Sequence, residues 1–349
     1  MSSTISGGQF RLSRRGTRPV EWETVNCPAC GCGDFIPPVW PAATDLAAAG
    51  CLPSLVRCQN CELTFTNPRP IVRDIGHFYP PEYGCHDVRG NWDTRRRARW
   101  RRRLEGHVLR AFFNYPPQPA GMATLLAGCL GRVWIRSSQH RAGWIEYQGA
   151  GSLLDFGCGA GSFLRRMQAH GWHVEGLDVS AAVARRVQRQ TGIRVHVGSL
   201  PHGDLKTGSF DCITMWQSLE HVHQPRRVLE SARELLRPGG TIVVLVPNLQ
   251  SWSFRVFGPH WFALDLPRHL THFTPVTLAR LLQTTGFHVR RSQQVAIDGW
   301  IRQSARQVAA AGHRQWLSVC RWKPLALAVA RWTERRGMAD NVLVVAERE

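Results

Sequence analysis

The stretch Leu153-Leu154-Asp155-Phe156-Gly157-Cys158-Gly159-Ala160-Gly161-Ser162-Phe163 decides the fold of this chain. Ser152–Phe156 reads as a buried strand, and a helical pattern runs from about Ser162 to His170. A strand, a glycine turn and a helix N-terminus make a nucleotide cradle. Gly157 suits the tight turn, Gly159 a close approach of backbone to ligand, and Gly161 the packing of the helix on the strand. The spacing is Gly-x-Gly-x-Gly, not the Gly-x-Gly-x-x-Gly of dinucleotide enzymes. Asp155 closes the strand just before the loop. A carboxylate there repels a pyrophosphate and suits a ligand with a cationic amino-acid end.

Outward from this stretch, strands alternate with helical segments. Val174–Asp178 is the second strand, and Asp178 falls 17 residues past Gly161. A carboxylate in that place can accept two hydrogen bonds from a ribose diol. Helical spacing follows over Ala181–Gln190, then short strands at Arg194–Val197 and Phe210–Met215. Gln224–Leu236 is amphipathic, with Val228, Leu229, Ala232, Leu235 and Leu236 on one face, and Arg237-Pro238-Gly239-Gly240 ends it. Thr241–Val246 is a β-branched strand. A helix over Pro275–Thr285 and a strand over Phe287–Val295 follow, and Asn341–Ala346 reads as a final strand. This alternation predicts an α/β fold with a parallel sheet and crossover helices.

These residues resemble class I S-adenosylmethionine-dependent methyltransferases. Leu153–Phe163 looks like their first motif and Gly176-Leu177-Asp178-Val179-Ser180 like their second. Ser209-Phe210-Asp211-Cys212-Ile213, Leu219-Glu220-His221-Val222 and Leu236-Arg237-Pro238-Gly239-Gly240 continue the set in order. The resemblance implies a Rossmann-like, seven-stranded sheet whose last strand is antiparallel, a strand that Val342–Ala346 can supply. It implies S-adenosylmethionine held by Asp155, Gly157, Cys158, Gly159, Gly161, Asp178, Val179, Ser199, Leu200 and Trp216. One position departs from the pattern. Many relatives carry an acid after the third strand, against the adenine amino group, where this chain has Gly198-Ser199-Leu200. A serine hydroxyl accepts the same bond more weakly.

Ahead of this core stand two Cys-x-x-Cys pairs, Cys27-Pro28-Ala29-Cys30 and Cys58-Gln59-Asn60-Cys61. Each spaces two thiolates for one ion, and four thiolates leave no open position. The pattern predicts a zinc ribbon whose Zn2+ is structural, with Cys32 and Cys51 spare. A ribbon before such a core resembles a bacterial architecture found among sugar, cell-envelope and secondary-metabolite methyltransferases. The resemblance implies that the segment His77-Phe78-Tyr79-Pro80-Pro81-Glu82-Tyr83-Gly84 forms part of a substrate lid, with Tyr79 and Tyr83 as the residues to watch.

Methyl transfer from a sulfonium is an in-line displacement, so alignment does most of the work. A hydroxyl or acidic-carbon acceptor also benefits from a base. Histidines on loops at the carboxyl ends of the strands are the candidates: His221, His269 and His272. Trp216 is expected at the cofactor's methionine end. Arg268 suits either an anionic acceptor or a carboxylate partner.

The net charge is +19, almost all of it arginine, since only Lys206 and Lys323 are lysines. The run Arg95–Arg103 includes Trp100, and Trp300, Trp316, Trp322 and Trp332 are interleaved with arginines further on. Such helices suit an anionic membrane surface or nucleic acid. Alternatively they cap the active site with the tryptophans buried. No apolar segment reads as a signal peptide or a bilayer span, which predicts a cytoplasmic protein, at most peripheral at the inner membrane face.

Residues 1–18 read as a disordered tail, 19–75 as the ribbon, and 76–145 as a basic helical cap or linker. Residues 146–297 read as the cofactor-binding core, and 298–349 as a helical insert plus the final strand. The expected acceptor is a small molecule, a sugar or a glycolipid precursor. An RNA methyltransferase with an RNA-reading ribbon is a weaker expectation, for no module of paired stacking aromatics is evident. A non-catalytic ribbon protein is weaker too, given the intact Asp155, glycine loop and Asp178.

Overall fold

The computed structural model describes residues 20–40, 53–79, 99–116, 122, 124, 126, 129, 143–312 and 315–349. Expectations for residues 1–18, Cys51, Tyr83 and residues 95–98 lie outside these.

The amino-terminal unit is a small ribbon. β1 (Trp22–Glu23) pairs with β5 (Arg69–Pro70). β2 (Phe35–Trp40), β3 (Ser54–Cys58) and β4 (Thr64–Asn67) form an antiparallel meander. Its two knuckles repeat one backbone device. The Cys27 carbonyl accepts from the Gly31 N–H at 2.8 Å, and the Cys58 carbonyl from the Glu62 N–H at 3.1 Å. Both donors are left-handed, Gly31 at φ 77° and Glu62 at φ 63°. α1 (Arg99–Phe112) follows, within the region expected to be a helical cap.

The main sheet has seven strands. β6 (Ser152–Phe156), β7 (His173–Asp178), β8 (Val195–Val197), β9 (Phe210–Trp216) and β10 (Leu236–Pro247) are mutually parallel. β12 (Phe287–Val295) and β13 (Asn341–Arg348) complete the order β12-β13-β10-β9-β6-β7-β8. β13 inserts between β10 and β12, antiparallel to both. α2 (Ser162–Gln168), α3 (Ala181–Thr191), α4 (Pro225–Leu235) and α6 (Pro275–Gln283) flank it. Between α4 and α6 lies the short α5 (Trp252–Phe257).

Both faces of the sheet are covered, so the strands read as near-continuous apolar runs. Along β13, Val342, Val344 and Ala346 join one core cluster while Leu343 packs in the other, the period of two that a pleat imposes. α4 ends at Leu235. The Arg237–Gly240 segment that was expected only to end this helix also opens β10, as a register shift between Leu236 and Thr241. α5, α7 (Asp298–Ala310) and α8 (Lys323–Arg335) gather around Trp261, Ile301 and Ala330 in a third core.

The ribbon is not a separate body. β11 (Thr271–His272), from the loop region after β10, pairs with β4 and supplies the ribbon's fourth strand. Cys27, Cys58, Leu63 and Phe65 share a core with Leu154, Met215 and Leu278. The Arg280 guanidinium donates to the Cys61 carbonyl at 2.9 Å. A boundary at residue 75 therefore divides a continuous core.

Candidate active site

All three glycines of the loop are left-handed: Gly157 at φ 73°, Gly159 at φ 50° and Gly161 at φ 69°. A Cβ on Gly157 would stand 2.6 Å from the Cβ of Ser218, and one on Gly161 2.6 Å from Cγ1 of Val187. Gly161 therefore allows α2 to approach α3, not the strand as the spacing suggested.

Gly157, Cys158 and Gly159 of the loop spend their N–H donors inside the protein. Gly157 and Cys158 donate to the Leu177 carbonyl at 2.7 and 3.2 Å. Gly159 donates to Oδ2 of Asp178 at 3.0 Å, and Ser180 donates to Oδ1 at 2.9 Å. A pyrophosphate cradle presents such N–H groups to its ligand. Here they bind the end of β7, so the loop is not built for phosphate. Each Asp178 oxygen keeps a further lone pair for a ribose hydroxyl.

Asp155 lies beneath the loop, 2% exposed, and accepts from the Thr214 hydroxyl at 2.7 Å. Burial pushes its carboxyl up to about 7, against that hydrogen bond and with the Asp178 charge adding to the rise. A cationic ligand end is what such a carboxyl needs. Val179, next to Asp178, is 75% exposed, an apolar side chain that gains by being covered. Leu200 is buried, and Ser199 is half-buried beside it after β8. Trp216 ends β9 with its ring 5.2 Å from that of Phe163, at the start of α2. These residues fit S-adenosylmethionine: spent donors where phosphate would sit, and carboxylates and apolar faces where its charges and rings would lie. A groove of 540 Å³ near Ser152, His173 and Arg194 opens at the other, amino ends of the strands.

Past the carboxyl ends of β9 and β10 three segments converge. His221 Nδ1 is 2.9 Å from the Tyr79 hydroxyl and 3.1 Å from the Arg268 carbonyl. The His221 and His269 rings are 4.6 Å apart, edge to face. His269 Nδ1 donates to the Ala263 carbonyl at 2.8 Å. Burial lowers His221 to about 3 and His269 to about 4, so both are neutral imidazoles at physiological pH. Arg268 forms a two-pronged ion pair with Asp265, with Nε 2.8 Å from Oδ2. It also donates to the Phe78 carbonyl at 3.0 Å. Of the two expectations for Arg268, the geometry shows the carboxylate partner. Burial works to raise Asp265, but the Arg268 bonds and the nearby His269 hold it below its ordinary value.

His272 lies on β11, where its Nε2 meets the Thr66 hydroxyl at 3.0 Å, and burial lowers it to about 3. That bond ties the ribbon to the core, a structural duty where a catalytic one was expected. Asp265, Thr214 and Glu220 were missed as site residues. Glu220 had a signal, its place beside His221. Asp265 and Thr214 had none that is local in sequence.

The four ribbon sulfurs are drawn together, with Cys27 Sγ 3.4 Å from Cys61 Sγ and Cys30 Sγ 3.5 Å from Cys58 Sγ. A zinc ion with bonds of about 2.3 Å sets its sulfurs about 3.8 Å apart, a small outward adjustment. The hydrogen bond with Cys27 pulls the Cys61 thiol down to about 5, while Cys27 is pushed up by the same bond and by burial. Cys32 stands apart, bonded to Asp34 backbone.

The sheet order, the antiparallel β13 and the Asp178-closed loop define a class I methyltransferase fold. The chain belongs to the Methyltransferase domain family, which it matches over residues 95–292. The ribbon cysteines precede that match. S-adenosylmethionine is the cofactor of this family and fold. The chain is similar to the ubiquinone biosynthesis O-methyltransferase of Burkholderia vietnamiensis (strain G4 / LMG 22486), 32% identical over 164 residues, 43% of this chain and 71% of that protein. It is equally similar to the protein of the same name from Paraburkholderia xenovorans (strain LB400), 32% identical over 143 residues, which cover 39% of this chain and 59% of that relative's length. Among solved structures, an S-adenosylmethionine dependent methyltransferase from Mesorhizobium loti is 22% identical, with 60% of this chain and 98% of that one covered at a TM-score of 0.43.

Proposed function

We propose that this protein methylates a hydroxyl oxygen of a small molecule, a sugar or a glycolipid precursor, and that zinc holds the ribbon carrying Tyr79. The observation that carries the cofactor half is the set of spent N–H groups at Gly157, Cys158 and Gly159. The acceptor half is supported by the neutral His221–His269 pair at the carboxyl end of the sheet, where ligands of open α/β sheets bind. The names of the relatives support oxygen as the acceptor atom.

When bound, S-adenosylmethionine supplies an activated methyl group on a sulfonium. The protein's part is alignment. Asp178 and Val179 hold the nucleoside end, Asp155 and Trp216 the amino-acid end. Tyr79 and Arg268 set the position of His221, and the neutral His221–His269 pair lowers the cost of removing the acceptor's proton. Calorimetry with S-adenosylmethionine, followed by methyl transfer to a panel of hydroxylated acceptors, tests the proposal. No cofactor binding by the wild-type protein sinks it.

A peripheral contact with an anionic membrane is a second proposal. Trp316 is 68% exposed, Val319 56% and Trp322 67%, beside the cations Arg321 and Lys323. The expectation that these tryptophans are buried is not met. Among the described residues no helix is long and apolar enough to cross a membrane. Flotation with anionic vesicles, set against neutral ones, tests the contact, and equal flotation removes it.

A further inference from the structure

Glu220 is completely buried, and among the described residues no neighbouring side chain donates to either oxygen of its carboxyl. A buried carboxyl with two unmet oxygens is costly and calls for a partner that the described residues do not provide. His221 and His269 stand beside it, and one ligand atom from each of the three residues lies within 4.8 Å of the others.

The hydrogen bonds assign the protons. The Ala263 carbonyl, 2.8 Å from His269 Nδ1, can only accept, so that nitrogen carries the hydrogen and Nε2 keeps its lone pair. The Arg268 carbonyl, 3.1 Å from His221 Nδ1, imposes the same tautomer there, with the Tyr79 hydroxyl sharing the proton at 2.9 Å. Asp265 Oδ2 stands 3.8 Å from His269 Nε2, beyond hydrogen-bond range. Two imidazole nitrogens without a proton therefore accompany a carboxyl that burial pushes up to about 8, a group that a cation would ionise, and each imidazole donates its other N–H to a backbone carbonyl. That outer bond is how metal-binding histidines are ordinarily oriented. The cluster of His196, His202 and Asp204 differs. His196 Nε2 is held by Glu175 at 2.7 Å, and both His202 nitrogens are engaged with backbone.

We propose that Glu220, His221 and His269 form a divalent cation site whose open position takes the acceptor's hydroxyl oxygen. Two imidazoles and one carboxylate suit a borderline ion such as Mn2+ or Zn2+ better than Ca2+ or Mg2+. The inference rests on the methyltransferase reading and deepens it. The bound cation acidifies the hydroxyl. Its O–H bond breaks and the proton passes to water. The oxygen's electron pair then forms the new O–CH3 bond, and the S–CH3 bond breaks with its pair returning to sulfur, which becomes a neutral thioether. No oxidant or reductant is needed.

The test is Mn2+ titration of the full chain with its ribbon already filled by zinc, followed by electron paramagnetic resonance. The expected result is one tightly held Mn2+ with nitrogen hyperfine coupling from imidazole. Glu220→Gln should weaken it by about tenfold or more, as should His269→Ala. No Mn2+ bound by the wild type at millimolar concentration overturns the site, as does binding without nitrogen coupling or an unchanged Glu220→Gln. The nitrogen coupling needs no variant, so a variant that fails to fold does not blunt the test. S-adenosylmethionine affinity is measured on the same samples. Cofactor binding without Mn2+ binding defeats this inference alone, and loss of cofactor binding in wild type defeats the methyltransferase reading.

Discussion

The hydroxyl of Tyr79 lies 2.9 Å from Nδ1 of His221, joining the segment that leaves the ribbon to the loop that follows β9. The contact spans 142 residues of sequence, and it is made because β4 and β11 pair beneath it. Replacing Tyr79 with Phe removes only the hydroxyl. S-adenosylmethionine affinity should be unchanged and kcat should fall by about 5- to 10-fold, the worth of one hydrogen bond of about 1 kcal/mol. Steady-state kinetics beside calorimetry reads both numbers, and an unchanged kcat removes Tyr79 from the site.

Asp178 binds two backbone N–H groups and is assigned to the ribose. Asp178→Ala should weaken S-adenosylmethionine by about 100-fold, near 2.7 kcal/mol, as loss of charge-assisted hydrogen bonds predicts. Unchanged affinity in calorimetry would end the ribose assignment.

Cofactor affinity should depend on pH through Asp155, raised to about 7 by burial. Below that value the free protein holds the proton, and a cationic ligand end favours its release. Affinity should therefore climb as pH rises toward 7, by up to about tenfold per unit, and level off above it. Without ligand the sign is reversed for stability. The raised carboxyl favours the fold at low pH, and that favour is lost as pH rises through about 7. Asp155→Asn should flatten the affinity profile measured by calorimetry across pH 5.5 to 8.5.

Gly161 combines a left-handed φ of 69° with a van der Waals contact that a methyl cannot share, 2.6 Å to Val187. Gly161→Ala should cost about 2–4 kcal/mol in urea unfolding, from backbone strain and overpacking together. Val187→Ala in the same chain should return part of the overpacking share. A fully additive double variant would show that the contact does not matter.

Breaking the ribbon's sulfur cluster should act at a distance. Cys58 is completely buried, and Cys61 holds Arg280 of α6 through its carbonyl. Cys30→Ser with Cys61→Ser should release zinc and lower Tm by at least about 5 °C. Acceptor turnover should drop with it while S-adenosylmethionine still binds, since Asp178 and the glycine loop lie on the sheet. A variant with full turnover and no zinc by elemental analysis would make the ribbon dispensable.

The elements around the glycine loop were legible because their causes are local. β6, the three glycines, α2 and the carboxylate that closes β7 follow from alternation, spacing and charge within about thirty residues. Paired cysteines three apart likewise chelate whatever the rest of the chain does. The final strand was legible as a β-branched run, but its place between β10 and β12 was not, because pairing partners are chosen by the packed sheet.

The site itself was only half legible. His221, His269 and Tyr79 could be singled out as residue types on loops, but not as neighbours. His272, of the same type, ties the ribbon to the core at Thr66 instead. Arg268 turned to Asp265, and Trp316 and Trp322 turned outward, where helical pattern alone left burial open. The glycine loop, Asp155 and Asp178 thus determined the fold and the methyl donor from sequence alone, because both rest on backbone geometry and charge close together in the chain. Only the tertiary structure decided which residues gather at the proposed acceptor site. It brings Tyr79, Glu220 and His269 together across long stretches of sequence, and whether a buried carboxyl has a partner depends on what folding packs around it.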